Sequence, residues 1–381
     1  MSGPLKGLLV LDMTRVLAGP YCTMILSDLG ARIIKIEPPN GDDSREFGPL
    51  INNTSAYFAS LNRGKESIKL NLKEKNDKTI FQKLLSKADI LIENFRPGIM
   101  KKLGFEYKIL AKKYPGLIYA SCSGFGQTGP WAGKPAYDMI VQGMGGLMSL
   151  TGHEKHEPVR IGTSIGDITA GLFTTIGILA ALVEKNKNNN GQMIDISMLD
   201  CQIAILENAI ARYFATGKSP APSGSRHPAI APFECYRCMN GYFVMACGND
   251  AMFKRMCKAI GAINLSKDKR FISNPERIKN VVDLKNELEK LFIKNSINHW
   301  IEILEEANIP VGPLNNVEDA VNSEQIKHRN MIVNIKDKNL KNFFVAGNPI
   351  KMSSYKDPSY RNKSPTLDEH RNKILKEFNL Q

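Results

Sequence analysis

Short apolar runs alternate with helix-compatible stretches through the first half of the chain, and this alternation limits the fold more than any other feature. Leu8-Leu9-Val10-Leu11, Ile33-Ile34-Lys35-Ile36, Ile90-Leu91-Ile92 and Leu117-Ile118-Tyr119 are each bounded by turn residues, and a helix-compatible run from Cys22 to Leu29 separates the first two. Apolar runs of this length, so bounded, read as strands. Strands separated by helices pair in parallel through crossovers, so the expected fold class is α/β with a largely parallel sheet, built from βαβ units. That is an architecture of nucleotide-binding style, not yet a function.

Further along, Ala136 to Leu150 is helical in pattern but rich in glycine (Gly143, Gly145, Gly146), which permits close backbone approach at a cost in helix propensity. After Gly162-Thr163-Ser164-Ile165-Gly166-Asp167 a long apolar helix is expected to run to about Glu184. An Asn-rich turn at 186–190, a strand at Gln192 to Ser197 and a helix to about Thr216 follow. The Pro- and Ser-rich stretch from Lys218 to Ser225 reads as a linker. Beyond it, Pro232 to Ala246 reads as a hairpin turning at Met239-Asn240-Gly241, followed by mixed helices. A chain of 381 residues exceeds one ordinary core, so a domain boundary near 220 is expected.

Hydrophobic residues at 43% and charged residues at 23% are those of a soluble globular protein. The N-terminal Met1-Ser2-Gly3-Pro4-Leu5-Lys6 has no signal-peptide pattern, and runs such as Ile178 to Val183 are short for a membrane span, so a cytoplasmic protein without membrane contact is expected. Seven scattered cysteines read as reduced thiols. Cys235 and Cys238 have zinc spacing, but Cys247 and Cys257 do not complete a set, so no metal is expected. The net charge of +13 favours anionic partners; its dispersed lysines lack a nucleic-acid motif and read as a solvated surface.

Asp167 is the first candidate for chemistry. It lies between Gly166 and a helix expected to begin near Ile168, where free backbone N–H groups and the helix dipole favour a carboxylate. Taken locally, this is a helix N-cap, and only the rest of the chain can give it another role.

That wider context is a series of motifs. Leu11-Asp12-Met13-Thr14-Arg15-Val16-Leu17-Ala18-Gly19-Pro20 and Asp28-Leu29-Gly30-Ala31-Arg32-Ile33-Ile34-Lys35-Ile36-Glu37 open it. Asn62-Arg63-Gly64-Lys65-Glu66-Ser67, Glu93-Asn94-Phe95-Arg96-Pro97-Gly98 and Ser123-Gly124-Phe125-Gly126-Gln127-Thr128-Gly129-Pro130 continue it. Tyr137-Asp138, Gly166-Asp167, Val311-Gly312-Pro313-Leu314-Asn315 and Glu369-His370 complete it. In this order the motifs resemble those of the family III CoA-transferases.

The resemblance implies a large Rossmann-like domain, formed by residues 1–217 and a C-terminal part at 321–381, joined through a linker at 218–226 to a smaller α+β domain at 227–320. It also implies a homodimer of two interlocked chains. It places the catalytic carboxylate on Asp167, which would carry the acyl group as a mixed anhydride and then CoA as a thioester, without ATP. Coenzyme A thioesters and small carboxylic acids are then the substrates, with no permanently bound cofactor. For CoA binding the resemblance points to Val16, Leu17 and Ala18, to Asn94, Phe95 and Arg96, to Lys102, and to Tyr137 near the thiol. Lys102 stands where many members carry arginine, and Pro38 where some carry a basic residue, which leaves a point charge at the first position and none at the second.

Formyl-CoA transferases of the family carry a glycine run where this chain reads Ala246-Cys247-Gly248-Asn249-Asp250-Ala251-Met252-Phe253. Formyl/oxalate exchange is therefore disfavoured; the Gly-Asn-Asp-x-x-Phe pattern resembles members that handle succinyl-CoA and other dicarboxylates, with Arg226 or His227 available for a distal carboxylate and carnitine-like or aromatic acids as the competing acceptors. The nearest rival on the same fold is an α-methylacyl-CoA racemase, which pairs a histidine with an aspartate. Pro135-Ala136-Tyr137-Asp138-Met139 lacks that histidine, and His153 and His156 fall in a polar turn. A non-catalytic CoA-binding or nucleic-acid-binding protein is the alternative of a different class.

Overall fold

The computed structural model describes residues 3–380. The chain divides into two compact units, one of residues 1–148, 160–219 and 324–381, the other of residues 149–159 and 220–323. Residues 149–159 thus belong with the second unit, not with the large domain to which the sequence reading assigned them. The Gly224 N–H donates to the Gly152 carbonyl at 2.8 Å and ties this excursion to the chain after Pro220.

In the first unit the sheet strands are β1 (Leu9–Asp12), β2 (Arg32–Glu37), β3 (Glu66–Lys69), β4 (Ile90–Glu93), β5 (Ile118–Ser123) and β6 (Met193–Ser197). The helices that matter for the site are α1 (Ala18–Asp28), α2 (Ala56–Asn62), α3 (Lys75–Leu85), α4 (Ile99–Leu103), α5 (Asp138–Met144), α6 (Ile165–Asn188), α7 (Met198–Ile205) and α8 (Asn208–Thr216). The strands form one sheet in the order β3-β2-β1-β4-β5-β6, every pair parallel. This is a doubly wound order, and its direction reverses between β1 and β4.

Side-chain parity explains why such short runs suffice. Val10, Ile33, Ile90, Ile92, Ile118 and Ala120 point to one face and pack with Cys22 and Leu26 of α1 and Ile178 and Ala181 of α6. Leu9, Leu11, Ile34, Ile36 and Leu91 point to the other and pack with Phe81, Leu84 and Leu85 of α3. Strands covered on both faces read as unbroken apolar runs, as parallel strands do.

Two of the expected helices are cut short or broken. The glycine-rich helix ends early: α5 stops at Met144, and Gly146 turns left-handed (φ 83°). The helix expected to reach Thr216 is broken into α7 and α8 by Glu207, which is left-handed at φ 34° and whose carboxylate accepts the Asn208 N–H.

The second unit holds β7 (Phe233–Cys238) and β8 (Gly241–Ala246), an antiparallel hairpin extended by β9 (Val311–Pro313), with α9 (Asp250–Ala259), α10 (Val281–Phe292) and α11 (Ile297–Glu306). Tyr236, Phe243, Phe253, Phe292 and Trp300 are buried together in its separate core. The tail returns to the first unit as β10 (Ile332–Lys336), β11 (Phe344–Ala346), β12 (Tyr360–Asn362) and α12 (Arg371–Glu377). Ile374 and Phe378 enter the sheet core. His370 is sewn to edge strand β3: its Nδ1 accepts the Ser67 N–H at 3.2 Å and its N–H donates to the Ser67 carbonyl at 3.0 Å. The Glu369-His370 motif therefore covers a sheet edge that would otherwise stay unpaired.

Candidate active site

In a doubly wound sheet, ligands sit outside the carboxyl ends of the strands where the order reverses. Here that crevice is bordered by the loops leaving β1 and β4, and side chains bind the two loops together. The Asn94 carboxamide pairs with the Arg15 peptide on both sides, accepting its N–H at 2.9 Å and donating to its carbonyl at 2.8 Å. The next residue, Val16, is left-handed at φ 66°. A β-branched side chain in that region is an outlier costing on the order of 1–3 kcal/mol, and such strain concentrates at functional sites. Leu17 then serves as N-cap to α1, which begins at the buried Ala18.

A buried charge network supports this loop. Asp12, at the end of β1, accepts both the N–H and the hydroxyl of Thr14, the Thr23 hydroxyl at 2.6 Å and the Lys65 ammonium at 3.0 Å. Burial works against the Asp12 carboxylate, but Lys65, Lys35 and the two threonine hydroxyls outweigh it and hold it well below the usual range.

Asp167 is not the N-cap. Ser164 occupies that position and Asp167 is the third residue of α6, inside its first turn. The Gly166 N–H, in the same first turn, donates to Asp138 Oδ1 at 2.7 Å, while Asp138 Oδ2 accepts from Gln142 Nε2 at 2.8 Å. No hydrogen bond or ion pair reaches the Asp167 carboxylate among the described residues. Half-buried and beside Asp138, it is pushed up to about 7, first by desolvation and then by the like charge. Desolvation and repulsion thus outweigh the helix dipole. The outcome is an unpartnered carboxylate, more reactive than a capped one.

Helix packing brings Asp167 beside the β1 loop. Gly171, one turn further on the same face of α6, lies so close to α1 that a Cβ there would meet the Ala18 carbonyl oxygen at 2.7 Å. Tyr57 of α2 completes the surroundings. Its phenol is pushed up to about 12 by burial and by Asp167, Asp42 and Asp138, so it remains a proton donor near the carboxylate.

Of the residues named from the sequence, Val16, Leu17 and Ala18 border the crevice from β1, and Asn94, Phe95 and Arg96 from β4. Arg96 is exposed; the Arg15 guanidinium lies 5.8 Å from the Phe95 ring centre. Lys102 is exposed on α4, and Tyr137 is 77% exposed as N-cap of α5. Arg226 and His227 lie in the second unit. Asp138, Tyr57 and Asp42 were not singled out; Tyr137-Asp138 was visible as a motif, whereas nothing local marks the other two.

Two further features carry no part of this site. A cavity of about 770 Å³ opens at the amino ends of β2 and β3, but its Arg32, Lys363 and Lys373 are already paired with Glu66, Glu369 and Glu377. Among the described residues no group of His, Cys, Asp and Glu is arranged to hold a metal ion.

The sheet is of the doubly wound α/β class, whose crevice at the reversal of strand order is where a ligand sits. The chain belongs to CoA-transferase family III, whose model matches residues 5–371. It is 49% identical to the acetyl-CoA:oxalate CoA-transferase of Acetobacter aceti over 99% of this chain and 96% of that protein. It is 36% identical to the succinyl-CoA:glutarate CoA-transferase of Mus musculus over 98% and 86%. A CAIB/BAIF family protein from Brucella suis matches in structure with a TM-score of 0.88 at 37% identity, over 99% of this chain and 100% of that one. The protein is thus a CoA-transferase acting between acyl-CoA thioesters and carboxylic acids.

Proposed function

We propose that Asp167 is the nucleophile of this transferase and that its acceptor is a small dicarboxylate. The observation that carries the first part is the isolation of Asp167, a half-buried carboxylate without a hydrogen-bond donor beside the β1 loop. One Asp167 oxygen attacks the thioester carbonyl of the donor, the C–S bond breaks, and CoA leaves as thiolate from a mixed anhydride. The thiolate attacks the aspartyl carbonyl, releasing the donor's acid and leaving an aspartyl-CoA thioester. The incoming carboxylate attacks that carbonyl, CoA thiolate is expelled again, and it takes the new acyl group from the second anhydride, restoring Asp167. Each step exchanges one acyl bond for another, so thioester energy is conserved.

A carboxylate in water is a weak nucleophile. Holding it in line with the thioester supplies on the order of 7–11 kcal/mol, and its poor solvation here removes part of the reorganisation that water would impose. The Tyr57 phenol and glycine-rich backbone N–H groups are the available donors for the developing oxyanion. Val16, Leu17, Ala18, Asn94, Phe95, Arg96, Lys102 and Tyr137 form the proposed CoA track.

The relative at 49% identity favours acetyl-CoA as donor and oxalate as acceptor, while the relatives at 34–36% identity are named for succinyl-CoA with glutarate or mesaconate. All these acceptors carry two carboxylates. The test is incubation with acetyl-CoA or succinyl-CoA and a panel of mono- and dicarboxylic acids without ATP, with new thioesters followed by mass spectrometry. Asp167→Ala is run alongside, and borohydride trapping locates the aspartyl thioester. Transfer to dicarboxylates only, abolished in the variant, is the expected outcome. Equal transfer by Asp167→Ala sinks the nucleophile assignment, and preference for monocarboxylates sinks the acceptor class.

The homodimer belongs to the same proposal. Leu172, Phe173, Ile176 and Val183 of α6 and Tyr213 and Phe214 of α8 are exposed on the first unit, an apolar surface suited to a second copy of the chain. By length and composition alone α6 would also cross a membrane, but its other side packs on α1, β5 and β6 as a core helix does. Seven free thiols, six of them buried, suit the reducing cytoplasm.

A further inference from the structure

The residues of the β1 loop are fixed one after another by side chains from different elements. Thr14 is held by Asp12 and by Lys35, whose ammonium donates to the Thr14 carbonyl at 2.7 Å. Arg15 is held on both sides of its peptide by Asn94. The N–H of Val16, the left-handed residue, donates to Asp42 Oδ1 at 3.2 Å. Asp42 is itself over-determined: Oδ1 also accepts the N–H and hydroxyl of Ser44 at 3.0 and 2.7 Å, Oδ2 meets the buried Lys35 ammonium at 2.8 Å, and the Asp42 N–H donates to Glu37 Oε2 at 3.1 Å. Both Asp42 and Lys35 are buried, out of reach of a ligand in the crevice. A strained backbone persists only where its surroundings impose it.

We propose that Asp42 is a positioning residue for acyl-CoA: with Asn94 it holds the Arg15-Val16 turn in the left-handed form that receives the cofactor. The inference rests on the CoA-binding reading of that turn. It also changes the part played by Asn94, whose amide is committed to Arg15 and acts on the cofactor through the turn. Asp167 stands on α6, outside this turn, so loosening the turn is expected to weaken CoA binding first.

CoA itself is titrated calorimetrically into the full-length wild type, into Asp42→Ala and into Asp42→Ala combined with Val16→Gly, with steady-state kinetics on the same preparations. Asp42→Ala is expected to weaken CoA binding about tenfold or more, with KM for acyl-CoA rising in step, since preorganisation is what is lost. The kcat at saturation and the acceptor KM stay within about threefold of wild type, the signature of lost uniform binding. Glycine enters the left-handed region without strain, so the double variant regains most of the lost affinity. Loss of kcat, acyl-CoA KM and acceptor KM together, or no recovery with Val16→Gly, overturns the proposal, because a merely structural Asp42 gives that pattern. Should Asp42→Ala not fold, Ser44→Ala, which removes the hydroxyl donor that fixes Asp42 Oδ1, is expected to weaken CoA binding in the same direction and to be rescued by the same Val16→Gly. Wild type that binds no CoA ends the CoA reading and this inference with it; wild type that binds while Asp42→Ala binds equally well ends this inference alone.

Discussion

As the proposed nucleophile, Asp167 would have to be ionised to attack, yet burial and Asp138 favour its protonated form up to about pH 7. The kcat/KM for acyl-CoA is therefore expected to rise with pH through about 7 and level off above it, measured at fixed acceptor. Asp138→Asn removes the like charge and moves that limb to lower pH; an unmoved limb assigns it to another group. The same shift is a stability statement. The unfolded carboxyl ionises near 3.8 and the folded one near 7, so the folded state resists losing its proton and stability falls as pH rises from about 4 to 7. The cost above pH 7 is at most about 4 kcal/mol. Asp167→Asn should accordingly be more stable than wild type in urea at pH 8, with the difference closing at pH 4. A difference that does not change with pH shows that the carboxyl is not desolvated in solution.

Helix packing places that residue, and the strands carry the charges that support the loop beside it. Lys35 on β2 is fully buried and its ammonium faces Asp42, the Thr14 carbonyl, Asp12 and Glu37. Removing one member of a buried ion pair leaves the other charge without a partner, so Lys35→Met is expected to lower unfolding free energy by about 3–5 kcal/mol, read from denaturant midpoints. A loss below about 1 kcal/mol, the level of an exposed pair, shows that water reaches the network. Neither this pair nor Asp42 meeting Val16 was legible in the sequence, because the partners are 7 and 26 residues apart and each looks like an ordinary surface charge. The strands were legible because both sheet faces are buried and the runs Leu8 to Leu11 and Ile33 to Ile36 stay apolar throughout. The start of α6 was misplaced by three residues because Gly162 and Gly166 look like turn formers, yet Gly166 sits inside the helix with its N–H taken by Asp138. The three-residue strands β11 and β12 are too short to show a period.

At the scale of the whole molecule, the α6 and α8 surface decides between one copy and two. An exposed isoleucine, two phenylalanines, a leucine, a valine and a tyrosine stand open to water on two helices of one unit; Phe214 alone is 79% exposed. Covering it with a second chain uses the hydrophobic effect at no expense to the sheet core, since α6 turns its other residues, Ile178 and Ala181, inward. Light scattering on the eluting protein is expected to give twice the mass of 42.4 kDa across a wide concentration range. Ile176→Asp combined with Phe214→Asp places two charges in the apolar face and should yield monomers that keep their far-ultraviolet circular dichroism, because neither side chain belongs to the internal core. A wild type that elutes as a monomer rejects the second copy; a charged double variant that remains dimeric moves the interface to another face of the molecule.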